Sequence, residues 1–412
     1  MSDPIDFLAL ASVTYTDANA ATLRWMLDRT GPSGFLDTKQ SSISLANYGP
    51  ADGLRGPDYL YGWIQGRGLE AIATHAAYFE GKDEGLAHAL DNAGAGLYAL
   101  LDQLSRPHGH AYFCYDADRT PVYPSTDGAV RKQLNPADIF TYSDAFVAKG
   151  LVAAAARYAP ADLTRQLAYF SAVIASIEDG RFQMDERIPL SRHALDAQAD
   201  DFGPRMILLG AAGMLSRLGL TEHAAYADRF IAHVIENHLD PRTGLLRNVP
   251  GEDACNVGHG IEFVGFALDY LPAGADAALV QTLERILIAS FRYGYVEPGI
   301  ALSVSLETGT ALSPYCPWWS LPETIRSAAL CYQRTGNPEA LTVWRQAHEA
   351  FFTRYWRGTP PIAYQTMTKD GPVDFVPATP DLDPGYHTGL SLLAAIHVAD
   401  ALRVASPVPT QA

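Results

Sequence analysis

Apolar and polar positions recur with a helical period along most of the chain, and stop signals cut that pattern into twelve helix candidates. They are 17–29, 57–80, 84–105, 137–157, 161–178, 204–218, 221–239, 256–271, 274–291, 319–335, 337–356 and 387–404. Pro136, Pro160, Pro204 and Pro338 stand at starts, where the missing amide would be an orphan donor anyway. Asn135, Thr221 and Asn337 offer capping side chains, and Gly336 is a stop signal just past Thr335.

Two kinds of helix alternate. Stretches such as 145–156 (AFVAKGLVAAAA) and 206–214 (MILLGAAGM) are apolar on nearly every face, which a helix tolerates only when surrounded by protein. Others are amphipathic: in 221–239, Tyr226, Phe230 and Val234 share one side while Glu222, Asp228, Arg229 and Glu236 take the other. The unusual polar residues fall on alternate candidates, with Arg67 in the second, Asp144 in the fourth, Arg205 in the sixth, His259 and Glu262 in the eighth, Glu323 in the tenth and His387 in the twelfth. From Asp144 onward they recur at roughly 54 to 64 residues, one helical hairpin plus its loop.

An inner ring and an outer ring, six hairpins in all, account for this order. The expected fold is all-α, an (α/α)6 barrel forming one domain over 1–412, whose inner helices present polar ends at one mouth. Long excursions near 107–136, 181–203, 240–255, 292–317 and 357–386 are available to roof it. A solenoid of helical hairpins gives the same order but has no need of charged residues at matching ends of alternate helices.

Composition narrows the partners. Of 412 residues, 48% are hydrophobic and 18% charged, ample for a large core. A net charge of −16 repels phosphate backbones and anionic membrane surfaces, so neither nucleic acid nor membrane is an expected partner. The opening residues MSDPIDFLAL lack a basic segment followed by an apolar run, and no uninterrupted apolar stretch of membrane-spanning length stands out, so the expected location is cytoplasmic. Cys114, Cys255, Cys316 and Cys331 are scattered with no CxxC pair, which reads as free thiols.

Four segments carry candidate chemistry. In NVGHGIEFVGFALDY (256–270), His259 and Glu262 stand three apart on one helix face within an apolar setting; His259 is a candidate acid or base, and Glu262 could orient it or grip a hydroxyl. In DPGYHTGLSLLAA (383–395), His387 opens an apolar helix, where the helix dipole favours the neutral, base-competent imidazole. In YGWIQGRGLEA (61–71), Gln65 and Arg67 beside Trp63 suit hydroxyl and anion gripping under an aromatic wall. In CPWWSLPETIRSA (316–328), Trp318 and Trp319 suit sugar stacking if they line a cleft. His75, His233 and His348 read as packed or surface residues, while His108 and His110 lie with Tyr112 in a loop near the mouth.

Together these motifs resemble the N-acylglucosamine 2-epimerase family, which includes cellobiose 2-epimerases and the mannose and sulfoquinovose isomerases. WIQGRG is similar to the family's Trp-x-Gln-x-Arg, GHGIE to its Gly-His-x-x-Glu, WWSLPE to its Trp-Trp-x-x-x-Glu, and YHTG to its closing aromatic-His pattern, in order from about residue 55 to 400. The resemblance implies an (α/α)6 barrel and chemistry at C1 and C2 of a reducing sugar. His259 and His387 would be the acid/base pair, Glu262 would support His259, Arg67 would bind sugar oxygens, and Glu323 with Trp319 would position the sugar, with Asp144 added as a binding residue. A base removes the proton α to a carbonyl while a donor stabilises the enediolate, so neither metal nor redox cofactor is required. A small-molecule sugar is the expected partner, and the reading leaves a homodimer open.

Ile207 stands where many members carry a further histidine, Leu390 where they carry an arginine, and Cys316 and Pro317 where a lysine commonly precedes the tryptophans. An apolar residue at 207 is more like the N-acylglucosamine epimerases themselves, whereas the loss of the arginine and the lysine removes positive charge and points to a sugar without an anionic group, or to an altered activity. Two alternatives remain: a glycoside hydrolase or lyase pairing Asp144 with Glu262 or Glu323, and a non-catalytic sugar-binding barrel.

Overall fold

The computed structural model describes residues 4–31, 33–125, 127–376 and 379–405. Helices dominate: α1 (Pro4–Arg29), α2 (Gly62–Phe79), α3 (Glu84–Ser105), α4 (Tyr142–Tyr158), α5 (Leu163–Glu178), α6 (Arg192–Ala197), α7 (Gly203–Arg217), α8 (Tyr226–His238), α9 (Val257–Tyr270), α10 (Ala277–Gly294), α11 (Ser320–Thr335), α12 (Pro338–Ala350) and α13 (Ser391–Ala405). Every candidate helix of the sequence has its counterpart, and the short α6 is an addition within the 181–203 excursion.

Several boundaries move for identifiable reasons. Helix α1 begins at Pro4, well before residue 17, because Phe7, Leu8, Ala11 and Tyr15 form a buried stripe. Tyr15 accepts a hydrogen bond from Trp344 Nε1 at 2.9 Å, and His348 Nδ1 lies 3.1 Å from the same hydroxyl. Helix α4 starts not at Pro136 but at Tyr142, where Thr141 and Asp144 form a capping box. Asn135 instead accepts from Ala137 N and donates to the Ile139 carbonyl, closing a turn. The Asn337 cap and the left-handed Gly336 stop sit where the sequence places them.

The described residues fall into two compact units, each discontinuous in sequence. One holds the chain up to Thr22, Ile235–Phe375 and the chain from His387; the other holds Leu23–Val234 and Val376–Tyr386. Within each, very short strands lead directly into helices. In the second unit Leu60–Tyr61 pairs with Cys114–Tyr115 just before α2, and Phe140–Thr141 pairs in parallel with Phe182–Gln183 just before α4. In the first, Ala254–Cys255 pairs with Val304–Ser305 before α9, and Cys316–Pro317 pairs with Thr366–Met367 before α11. These ladders lie partly in the excursions, and they pin the amino ends of helices α2, α4, α9 and α11.

Glycines set the helix spacing. In the second unit a Cβ on Gly150 of α4 would stand 2.4 Å from the Gly66 carbonyl oxygen of α2, and one on Gly66 would meet the Phe146 backbone at 2.6 Å. In the first unit Gly265 of α9 faces Ser327 of α11, whose hydroxyl donates to the Ile261 carbonyl at 2.7 Å. All four cysteines are buried thiols. One segment, Tyr386–Ala405, is long and apolar enough to cross a membrane by length and composition, although polar residues such as His387, Ser391, Asp400 and Arg403 interrupt it; half of its most apolar stretch is buried within the protein, and α13 packs on α11.

Replacing Gly150 with alanine drives a methyl group into backbone that cannot yield. The expected loss is about 1–3 kcal/mol of unfolding free energy, read by urea denaturation. Gly96, on α3 with nothing within 4 Å of its would-be Cβ, serves as the contrast. Its change to alanine should stabilise by about 0.5–1 kcal/mol.

Candidate functional site

In the first unit, α9, α11 and the chain from His387 leading into α13 bring together the polar residues of three distant segments. Asn256 caps α9, its side-chain oxygen accepting from His259 N at 3.2 Å, so His259 occupies the first turn and Glu262 the next. Glu323 lies in the first turn of α11 and Arg326 one turn on, with Nη1 2.9 Å from Glu323 Oε2. The other oxygen, Glu323 Oε1, is 3.0 Å from His387 Nδ1, and Glu262 Oε1 is 3.8 Å from that same nitrogen.

This chain of charges is buried: Glu323 is 0% and Glu262 1% exposed. Burial alone would raise the Glu323 carboxyl, but Arg326 beside it and the hydrogen bonds from His387 and Ser391 hold it below the usual carboxylate range. An ionised Glu323 fixes the proton of His387 on Nδ1, leaving Nε2 as the nitrogen whose lone pair can take a proton. Arg326 is itself only 5% exposed and lies 4.8 Å from the Phe266 ring centroid.

Both histidines lean on one indole. The Trp319 ring centroid is 5.4 Å from that of His259 and 5.8 Å from that of His387, tilted by 33° and 36°. Trp318 meets His387 edge-on at 6.2 Å. A Cβ on Gly258 would strike Trp319 at 2.7 Å, so that glycine is what lets the indole lie against the start of α9. His259, Trp318 and Trp319 keep part of their surface, whereas the carboxylates beneath them do not.

The roles expected from sequence shift accordingly. Glu323 engages Arg326 and His387, so both of its carboxylate oxygens lie against charged or imidazole groups. Glu262 sends a carboxylate oxygen toward His387. The donor atoms of Glu262, Glu323 and His387 lie within 4.8 Å of one another, close enough to hold a metal ion, but Arg326 already supplies the compensating positive charge.

In the second unit, Trp63 and Arg67 stand one turn apart on α2. The Arg67 guanidinium lies 4.0 Å from the Phe146 ring centroid, 5.1 Å from that of Trp63 and 5.5 Å from that of Tyr386. Beneath, fully buried Lys149 donates to the Tyr386 hydroxyl at 2.6 Å and sits 3.4 Å from Glu70 Oε2. Trp63 donates through Nε1 to Glu186 Oε2 at 2.5 Å.

Two sequence expectations are corrected here. Asp144 is no ligand-binding group: its carboxylate accepts from Thr141 N at 2.8 Å, Ala111 N at 2.8 Å and the Tyr169 hydroxyl at 2.6 Å, with His110 Nδ1 3.3 Å away and no exposed surface. Gln65 is likewise occupied, bonding both the N–H and the carbonyl of Leu36 at 2.9 and 3.0 Å. His110 packs on Phe140, ring centroids 4.5 Å apart, at 2% exposure. Arg205 lies 3.4 Å from exposed Asp200.

Sequence reasoning missed Arg326, Lys149 and Glu186. Lys149 did leave a signal, as the one charge within the apolar run AFVAKGLVAAAA. Arg326 stands three residues after Glu323, a spacing that pairs charges on a helix. Glu186 comes from an irregular segment and left none.

No protein-family model and no curated protein matches the chain. Among solved structures it is similar to a sugar epimerase from a ruminal bacterium, at 15% identity and a TM-score of 0.68, over 93% of this chain and 98% of that one. It is similar to cellobiose 2-epimerase from Spirochaeta thermophila, at 14% identity and a TM-score of 0.69, over 96% and 98%. D-mannose isomerase matches at 11% identity and a TM-score of 0.69, over 93% and 97%. At such identities the likeness carries the fold, and the fold of this chain is the (α/α)6 barrel expected from its helix order.

Proposed function

We propose that the protein is a cofactor-independent epimerase or isomerase acting at C1 and C2 of a reducing sugar, most like N-acylglucosamine 2-epimerase or mannose isomerase. The observation that carries this reading is the His387 imidazole, anchored through Nδ1 to a charge-held Glu323 and sharing the Trp319 indole with His259. One histidine takes the proton from the carbon next to the open-chain carbonyl, and an enediolate forms. The other returns a proton, to the opposite face of C2 for epimerisation or to C1 for aldose–ketose isomerisation. Trp319 offers a stacking face, Arg67 with Trp63 binds sugar oxygens, and Glu262 and Glu323 hold the base in place. The chain works as one catalytic domain in the cytoplasm, with a small sugar as its partner.

The known structures of this fold that bear epimerase and isomerase names support the same reading. The hydrolase alternative has lost Asp144 to capping and is left with Glu262 and Glu323, whose carboxylates converge on one imidazole.

Free sugars incubated with the protein in heavy water should gain deuterium at C2, followed by NMR, with the product's configuration distinguishing epimerisation from isomerisation. His259→Ala and His387→Ala should each slow turnover by about 10²–10⁴-fold. Full turnover in both variants would refute the mechanism, and release of a smaller sugar from a disaccharide without exchange would point to hydrolysis.

The charge chain makes a separate prediction. Arg326→Met leaves a buried carboxylate short of its counter-charge, lowering the unfolding free energy by about 3–5 kcal/mol at pH 7. The folded-state value of Glu323 is depressed, so the stability it contributes is present above its unfolded value and is lost as pH falls through the folded one. Without Arg326 that depression is relieved, and the wild-type advantage in denaturant unfolding should shrink as pH falls from 7 toward 4.

A further inference from the structure

We propose that Glu186 is a positioning residue whose protonation sets how firmly Trp63 is held beside Arg67. The geometry lies within one unit. Phe182–Gln183 pairs in parallel with Phe140–Thr141, which delivers Glu186, three residues later, to the amino end of α4. There Oε2 accepts from Trp63 Nε1 at 2.5 Å, while Oε1 lies 3.4 Å from Ser143 N. The other ring contacts of Trp63 among the described residues are edges and faces, Phe113 at 5.4 Å, Tyr142 at 5.5 Å and Phe146 at 5.4 Å, with the Arg67 guanidinium at 5.1 Å. The Glu186 bond is therefore what fixes the rotation of the indole in its plane, and Arg67 stands against that indole one turn along the same helix.

Two carboxylates share this helix end. Glu186 faces Asp144 from α4 and Tyr115 from the strand before the 121–132 hairpin, along with the hydroxyl and amide groups of Thr141 and Ser143; His110 stands on the far side of Asp144. Burial pushes the Glu186 carboxyl up to about 7, with Asp144 adding to the rise against the bonds from Thr141, Ser143 and Trp63. Above that value the acceptor is an anion, and the bond from Trp63 is charge-assisted and tight. Below it the acceptor is a neutral acid, the bond weakens and the indole can turn, loosening the aromatic wall that Arg67 rests on.

The effect on sugar binding rests on the proposed function; the effect on Trp63 does not. Intrinsic fluorescence is therefore titrated between pH 5.5 and 8.5 in the wild type, Glu186→Gln and Trp63→Phe. A component with its midpoint near 7 should be present in the wild type and missing from both variants. Its absence from the wild type, or its survival at full amplitude in either variant, overturns the proposal.

With a sugar that is turned over, the wild-type KM should fall about threefold to tenfold from pH 6 to pH 8 while that of Glu186→Gln stays flat. A flat wild-type KM overturns the binding part. Failure to turn over any sugar counts against the proposed function, and the fluorescence result still decides the role of Glu186. Stability gives an independent sign: Glu186 has a raised folded value, so its contribution is intact below its unfolded value and is lost as pH rises through about 7. The Tm of Glu186→Gln should therefore fall less than that of the wild type between pH 5 and 8.

Discussion

The pairing of Arg326 with Glu323 is the contact on which the first unit's chemistry depends. A carboxylate with no exposed surface is costly to keep ionised, and an un-ionised Glu323 would hold the His387 proton on Nδ1 less firmly. Arg326 meets the cost from one turn away on the same helix, at 2.9 Å and nearly as buried. The imidazole is then fixed in tautomer and orientation, which is what the base of the proposed reaction requires.

That arrangement needs helices held at close and fixed spacing, and small residues supply it. Gly265 against Ser327 and Gly258 against Trp319 let α9 approach α11 closely enough for three segments to meet at one imidazole. In the other unit Gly66 and Gly150 do the same for α2 and α4, which carries the Arg67 guanidinium to 4.0 Å from Phe146. Short ladders just before these helices keep their first turns from fraying, and the first turns are where His259 and Glu323 reside.

The helix order was legible because a period of 3.6 repeated over fifteen or so residues is a strong signal, and His259, Glu262, Glu323 and His387 could be singled out as polar residues inside apolar helices. The strands were not, since two residues carry no period. Asp144 was misread because a capping carboxylate and a site carboxylate look alike in a sequence: only the three-dimensional neighbours Ala111, Tyr169 and His110 reveal that its oxygens are taken. The front half of α1 was missed because its apolar stripe is weak without the Tyr15–Trp344 contact that anchors it. Glu186 is the extreme case, since its whole environment is assembled by segments far away in the chain.

Glu323 and Glu186 show how neighbours decide what burial does to the same side chain. Both are almost wholly enclosed, and burial pushes both carboxyls upward. Glu323 has a guanidinium and an imidazole on its two oxygens, so attraction exceeds the penalty and the anion persists. The main partners of Glu186 among the described residues are neutral donors and a second carboxylate at the same helix end, so the penalty stands and the proton returns near neutrality. A fixed charge suits a group that orients the proposed base, whereas a group that titrates suits a contact whose strength changes with pH. Confining the titrating carboxyl to an indole contact lets the wall around Arg67 respond to pH while the His387 anchor stays constant.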